Sequence, residues 1–481
     1  MNTPLYKALI QHARRNSYSF HVPGHHNGDV FFDDAKSIFD PLLTIDVTEL
    51  AGLDDLHHPS GVIKEAQELV SQLYGSAESF FLVNGTTVGN LAMILSVCEP
   101  GETILVQRNC HKSVFHAVDL AGAEPVYLAP DIDEAMHVPT HVPLDTIKKA
   151  LAAYPDAKGL VLTNPTYYGH SADLTEIISE AHHYGIPVLV DEAHGAHFVL
   201  GEPFPVSALK MGADVVVQSA HKTLPAMTMG SYLHLNSSCR IDRNRLAEYL
   251  NRLQSSSPSY PIMASLDIAR AYVQHIIEEQ KLSDILHRIQ SLKQTFDSLS
   301  NAEAVKPADP RMITDPLKLT IRSKRGHSGY TLQNILERAN IFTELADENQ
   351  VLLVLPLGGK RRINAETIKS IDEEIEKTPP DQMFVSVEWG AQPVTVLPYQ
   401  KKVLQTFKKE YVDFDEAAGR LNAEDIIPYP PGIPMIMAGE RITKESVQKL
   451  SRLISMKTHV QGNMKIKEKQ LLVYYIEEEK S

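Results

Sequence analysis

The sequence predicts an α/β protein built on a largely parallel sheet, and three observations carry that prediction. Short apolar runs alternate with helical segments from about Ser79 to Val217, as a sheet with helical crossovers requires. Five of the six runs lead into polar clusters, where ligands sit in such sheets. One intervening helix is punctuated at both ends: Asp173 as N-cap with Glu176 three residues on, apolar Leu174, Ile177 and Ile178, then Gly185. In order, the expected strands are "SFFLV" (79–83), "TILV" (103–106), "PVYL" (125–128), "GLVLT" (159–163), "IPVLVD" (186–191) and "DVVVQ" (214–218). A helical stretch around 262–300 leads into a smaller C-terminal region. That region holds "VLLVLPLGG", the proline-rich "PYPPGIP" (428–434) and a tail, charged at both ends, with one expected edge strand.

Composition narrows the function. The 481 residues are 43% hydrophobic and 22% charged, typical of a soluble globular chain of two or three domains. A formal charge of -14 repels a phosphate backbone and favours a cationic ligand, so nucleic acid is not the expected partner. No apolar run approaches the ~18 residues of a membrane span, and the N-terminus lacks a signal-peptide core. The expected location is the cytoplasm. Cys98, Cys110 and Cys239 are too few and too scattered for a disulfide framework or a cysteine-rich zinc site.

The rim at the strand ends reads "NGTT" (84–87), "RNCH" (108–111), "NPTYYG" (164–169), "DEAHGAH" (191–197) and "SAHKT" (219–223). Asp191-Glu192-Ala193-His194 spells the tetrad of ATP-driven helicases, but those need G-x-x-x-x-G-K-[ST] as well. Near Gly359-Lys360, Val354 replaces the first glycine and Arg361 the hydroxyl residue. The acid must serve something else. Lys222 follows a strand among Ser219, His221 and Thr223, and a desolvated lysine there can form a Schiff base with an aldehyde such as pyridoxal phosphate. Asp191, ending an apolar strand, suits the cationic pyridine nitrogen of that coenzyme. At ~4 Å and an effective dielectric near 20 the attraction is roughly 4 kcal/mol before desolvation. Gly85, Thr86 and Thr87 open a helix whose amides could hold phosphate, and His111 could stack on the ring. The plainer readings are a surface lysine, a structural acid, an ordinary Asn-Gly turn and a satisfied histidine. The pairs His25/His26, His57/His58 and His182/His183, with His194 and His197, raise a metal site as the alternative. None forms H-E-x-x-H, which favours the metal-free reading.

With these residues assembled, the chain resembles the pyridoxal-phosphate-dependent ornithine/lysine/arginine decarboxylases of the aspartate aminotransferase fold, fold type I. The matching stretches are "HVPGHHNG", "VNGTT", "RNCHKS", "TNPTYYG", "DEAHGAH", "SAHKTL", "SSSPSYPIMASLD" and "PYPPGIPMIMAGE", in order along nearly the whole sequence. It is similar to the short, biosynthetic-type branch, without the extra N-terminal domain of the long members. The resemblance implies a large domain with a mostly parallel seven-stranded sheet and a small C-terminal α+β domain. The corresponding division is an N-terminal segment 1–50, a coenzyme-binding domain 51–305 and a small domain 306–481. By position, it implies Lys222 as the coenzyme-bound lysine, His221 beside it, Asp191 at the ring nitrogen, His111 stacked on one face and Ala193 on the other. Gly85, Thr86, Thr87 and Ser219 would hold the phosphate, and Ser255 would reach the neighbouring subunit's site, implying a dimer or higher homo-oligomer with shared sites. Glu344 matches the acid that recognises the substrate's distal cation; read as a bare residue it is a surface carboxylate. Long members often carry tryptophan at the position of His194 and serine at that of Glu192, which leaves the roles of those two open, with His194 placed among the coenzyme's neighbours. The expected reaction is α-decarboxylation of lysine, ornithine or arginine in polyamine metabolism; the rivals are transamination or aldol cleavage on the same fold, or a coenzyme-binding protein without catalysis.

Overall fold

Six apolar runs become strands in the computed structural model, which describes residues 2–15, 17–237, 240–359, 362–381, 392–428, 433–455, 460–462 and 465–476. They are β1 (Glu78–Leu82), β2 (Thr103–Gln107), β3 (Glu124–Leu128), β4 (Leu160–Thr163), β5 (Val188–Asp191) and β6 (Val215–Gln218). Apolar side chains buried on both faces explain why these runs lack polar alternation. Strands β3, β2, β4, β5 and β6 pair in parallel.

The sheet has eight strands among the described residues rather than the seven expected, in the order β1, β7 (Ser231–Leu235), β6, β5, β4, β2, β3, followed by an edge strand at Val394–Val396. That edge strand comes from the C-terminal part and pairs antiparallel to β3. The sequence reading passed over β7 (Ser231–Leu235), which runs antiparallel between β1 and β6. Its central His234 disguises it. The imidazole is fully buried, bonded to Ser79 Oγ at 2.8 Å and Gln218 Oε1 at 3.1 Å, so its polarity is satisfied by neighbouring strands.

Helix Gly85–Val97 lies directly on this sheet. A Cβ at Gly89 would stand 2.7 Å from Val217 Cγ1 and 2.9 Å from Leu82 Cδ1, so glycine permits the approach. The helix before β5 is Thr175–His183, starting later than expected. Asp173 Oδ1 nevertheless accepts from the N–H and Oγ1 of Thr175, and Gly185 takes the left-handed conformation beyond the helix end.

Helices Tyr260–Glu278 and Leu282–Asp297 occupy the expected stretch, and the first anchors the N-terminal helix Pro4–Ala13. Asp267 accepts from the N–H of Leu5 at 3.1 Å and of Tyr6 at 3.3 Å while paired with buried Arg270. A second sheet orders Leu345–Ala346, Val351–Val354, Lys318–Ser323 and Ala302–Ala304, so "VLLV" is an inner strand. The tail strand Gln470–Tyr475 pairs antiparallel with Lys408–Asp413. Cys239, Lys360, Arg361, residues 429–432 of the proline-rich stretch and the tail end 477–481 lie outside the described residues.

Candidate active site

The sheet brings Lys222, Asp191, His111, His194 and the start of helix Gly85–Val97 to one rim. Asp191 ends β5 and is 3% exposed. Its Oδ2 accepts from Asn90 Nδ2 at 2.8 Å and its Oδ1 from the Ala193 N–H at 3.1 Å. Burial raises its pKa, opposed by the Asn90 bond, the Lys222 charge and the Ala193 N–H. A buried acid so thinly supported favours a cationic partner.

Lys222 stands in the single turn Ala220–Thr223 after β6, where Ser219 donates its N–H to the Ala193 carbonyl at 3.2 Å. Its Nζ lies 3.1 Å from His194 Nε2 and 5.4 Å from the centroid of the Tyr167 ring. Burial lowers its pKa, and the charges of Asp191 and Glu344 oppose that shift. Next to it, the His221 Nδ1–H donates to the Gly230 carbonyl at 3.0 Å, which leaves Nε2 as the acceptor. His221 is pushed down mainly by burial.

His111 caps helix Lys112–Ala121: its Nδ1 accepts from the Ser113 N–H, fixing the ring proton on Nε2. Burial, then the Lys222 charge, pushes it down to about 4, so the imidazole is neutral at pH 7. Thr86 Oγ1 and Ser219 Oγ meet at 3.1 Å, joining the helix start to the lysine turn. Gly85 takes φ +75° and gives its N–H to the Met229 carbonyl, and the next amides, Thr86 and Thr87, have no partner within the helix. Thr87 is exposed.

Two expected residues stand apart. Ser255 is exposed, with its Oγ bonded to the Ser257 carbonyl at 3.3 Å and its own carbonyl accepting from His57 Nε2 at 2.8 Å. Glu344 is also exposed, although its charge bears on Lys222, His221 and Lys318. Glu192 points away into the core. It accepts from Ser207 Oγ at 2.6 Å, the Ala208 N–H at 2.8 Å and Gln218 Nε2 at 2.6 Å, and burial raises it to about 7. Cys110, beside His111, is buried and pushed up to about 12, an inert thiol receiving a bond from Thr163. The histidines weighed as metal ligands take separate partners: His25 with Asp46, His182 with Asp214 and His197 with Asp315. Among the described residues no three His, Cys, Asp or Glu side chains gather as a metal site.

Three contributors escaped the sequence reading. Asn90 had a signal, a lone amide in the apolar "VGNLAMILSV" whose Nδ2 also donates to Ser113 Oγ at 2.9 Å. Arg108 gives a two-pronged pair to Glu440, at 3.1 Å from Nε and 2.8 Å from Nη2, and bonds to the Pro434 and Met435 carbonyls, tying the C-terminal motif to the rim. Lys318, 2% exposed, places Nζ 2.9 Å from His194 Nδ1; nothing local marks it.

The donor set is therefore an amine, a buried carboxylate, a neutral imidazole and a hydroxyl-lined helix start, and it fits the aldehyde, pyridine nitrogen, ring face and phosphate of pyridoxal phosphate. Such a fold and site define a class of pyridoxal-phosphate enzyme of fold type I, and comparison with known proteins narrows it. Residues 3–316 and 308–363 match the Orn/Lys/Arg decarboxylase major domain and residues 391–464 the C-terminal domain of the same family. The chain is 93% identical over 481 residues, all of both chains, to the uncharacterized protein YaaO of Bacillus subtilis (strain 168). It is 35% identical over 473 residues to the arginine decarboxylase of Bacillus anthracis, covering 96% of this chain and 94% of that one. The crystal structure of the Francisella novicida lysine decarboxylase LdcF superposes with a TM-score of 0.79 at 21% identity, over 99% of this chain and 81% of that one, a likeness of fold. The protein belongs to the Orn/Lys/Arg decarboxylase family. Among the described residues no helix is long and apolar enough to cross a membrane.

Proposed function

We propose that the protein decarboxylates a basic L-amino acid, lysine, ornithine or arginine, to the corresponding amine in polyamine metabolism, with pyridoxal phosphate as cofactor. The observation that carries this reading is the convergence of Lys222 and buried Asp191 on one rim with neutral His111 and the Thr86–Ser219 hydroxyl pair. Bound there, the coenzyme supplies an electron sink for the bond that breaks at the substrate α-carbon.

The protein's own residues do the rest. Asp191 would pair with the cationic ring nitrogen, and Asn90 and the Ala193 N–H hold that carboxylate in one orientation. Lys222 would hold the coenzyme through its aldehyde carbon. His111 and Ala193 would cover the coenzyme ring, while Gly85, Thr86, Thr87 and Ser219 would hold its phosphate at a helix start. His194 and His221 flank Lys222, and Glu344 attracts the distal cation of the substrate. Ser255, exposed on its own protomer, completes a neighbouring subunit's site, so the working unit is a homodimer or larger. Residues 51–305 form the coenzyme-binding domain, flanked by the segment 1–50 and the small domain 306–481, and the enzyme works in the cytoplasm.

Incubation with each of the three amino acids, reading CO2 with cadaverine, putrescine and agmatine, tests the reaction. Amine formation from one of them is expected; keto acid in place of CO2 would mean transamination instead. Lys222→Ala is expected to lose both turnover and the visible absorbance of lysine-bound coenzyme. Undiminished decarboxylation by that variant removes Lys222 from the chemistry.

A further inference from the structure

His194 lies between two lysines. Its Nε2 is 3.1 Å from Lys222 Nζ and its Nδ1 is 2.9 Å from Lys318 Nζ, with His194 4% and Lys318 2% exposed. An ammonium carries three donors and no acceptor, whereas a neutral imidazole offers one donor and one acceptor. Two ammonium groups therefore cannot both bond to it. A protonated His194 is opposed by burial first and then by both lysine charges, with His197 and His111 adding smaller repulsions. One of the two amines must be neutral.

Which one follows from Asp315. This carboxylate is fully buried; Oδ1 accepts from His197 Nε2 at 3.0 Å and the Leu317 N–H at 2.9 Å, while Oδ2 has no hydrogen-bond partner among the described residues. Such a group stays ionised only beside a cation. Burial raises Asp315, and its ion pair with His197 and then the charge of Lys318 outweigh that and hold it below the usual carboxylate range; Lys318 shares its turn, the Lys318 N–H donating to the Asp315 carbonyl at 3.0 Å. The charges on Asp315 and then Glu344 favour the ammonium of Lys318, against burial and Lys222. Burial brings Lys318 down to about 8, still mostly protonated at pH 7. Its stem is also pinned: a Cβ at Gly169 would come 2.2 Å from Lys318 Cγ and 3.1 Å from Asp315 Cβ, so the chain lies flat against that glycine. At the other end, Asp191 and Glu344 favour a charged Lys222, against burial.

We propose that Lys318 is a positioning residue for Lys222: its ammonium donates to His194 Nδ1, which keeps the imidazole proton on Nε2 and makes Lys222 present an uncharged amine. The inference rests on the assignment of Lys222 as the coenzyme-binding lysine. Deleting the ammonium frees His194 to change tautomer, so that Nε2 becomes an acceptor and Lys222 keeps its proton to higher pH.

The test uses coenzyme-free full-length protein. Wild type, Lys318→Met, His194→Phe and the double variant are mixed with pyridoxal phosphate across pH. Borohydride stops each reaction, and coenzyme fixed to Lys222 is counted by peptide mass spectrometry. Each single variant is expected to move the pH profile of trapping up by about one unit, about tenfold slower at pH 7. The double variant is expected to move it no further, because both changes break one chain of bonds. Thermal melting identifies a variant that does not fold, in which case the other single variant decides. An unmoved profile in a folded single variant, or additive shifts in the double, overturns the role of Lys318. Absence of any label on wild-type Lys222 would instead defeat the coenzyme assignment itself.

Discussion

Replacing Asn90 with leucine separates the electrostatics of the site from its stability. Asn90 Nδ2 donates to Asp191 Oδ2 at 2.8 Å and to Ser113 Oγ at 2.9 Å, while its own Oδ1 is buried without a partner among the described residues. A hydrogen bond to an ionised acceptor contributes about 1.5–3 kcal/mol, and a neutral one about 1 kcal/mol. Removing the orphaned Oδ1 recovers ~1–3 kcal/mol of desolvation, so the folded state should lose little. Asp191 does not share that compensation. Its ionised form loses one of its two described donors, and ~1.5–3 kcal/mol corresponds to a further rise of about 1–2 pKa units. The sign is fixed: a bond to the ionised form lowers the pKa, so its removal raises it. Pyridoxal phosphate affinity, titrated by absorbance across pH, should therefore fail at a pH about 1–2 units higher than in wild type, with the melting temperature within a few degrees. An acid limb that stays in place refutes the account of Asp191, as does a melting point that collapses while the limb stays put.

Glu192 should set a pH dependence of stability. Its folded pKa is raised from 4.5 to about 7, so its contribution is full below pH 4.5 and lost as pH rises to about 7, a change on the order of 3 kcal/mol. Urea unfolding of Glu192→Gln should lack that decline, and an equal slope in both proteins would show the proton is elsewhere. Among the described residues, Arg108→Ala leaves Glu440 with only the Met437 N–H as donor and deprives the Pro434 and Met435 carbonyls of the Arg108 guanidinium. The pair is partly exposed, so a loss of ~2–3 kcal/mol is expected, below the ~3–5 of a fully buried pair. Proteolysis should then open the region after residue 392 first, and wild-type resistance there would contradict the tie. Gly89→Ala forces a methyl to 2.7 Å from Val217 Cγ1 and should cost about 1–3 kcal/mol by denaturant unfolding, with a neutral result meaning that the helix can shift off the sheet.

Local pattern determined most of the scaffold. Runs such as "VLVD" and "VVVQ" bury both faces as inner strands, and all six apolar runs form strands, so these strands and the rim at their ends were readable without coordinates. Lys222, Asp191 and His111 were readable for the same reason, since each follows an apolar run within a few residues. Tertiary structure decided what local pattern could not hold. β7 needed Ser79 and Gln218 to satisfy His234; the edge strand at 394–396 needed β3, more than 260 residues earlier by the numbering. Glu192, one residue from Asp191, turns into the core because successive side chains beyond a strand end face opposite ways, and only the packing of Ser207 and Gln218 shows where it goes. Lys318 stands 124 residues from His194, and a bond across that separation depends on how two sheets meet, which no window of sequence records.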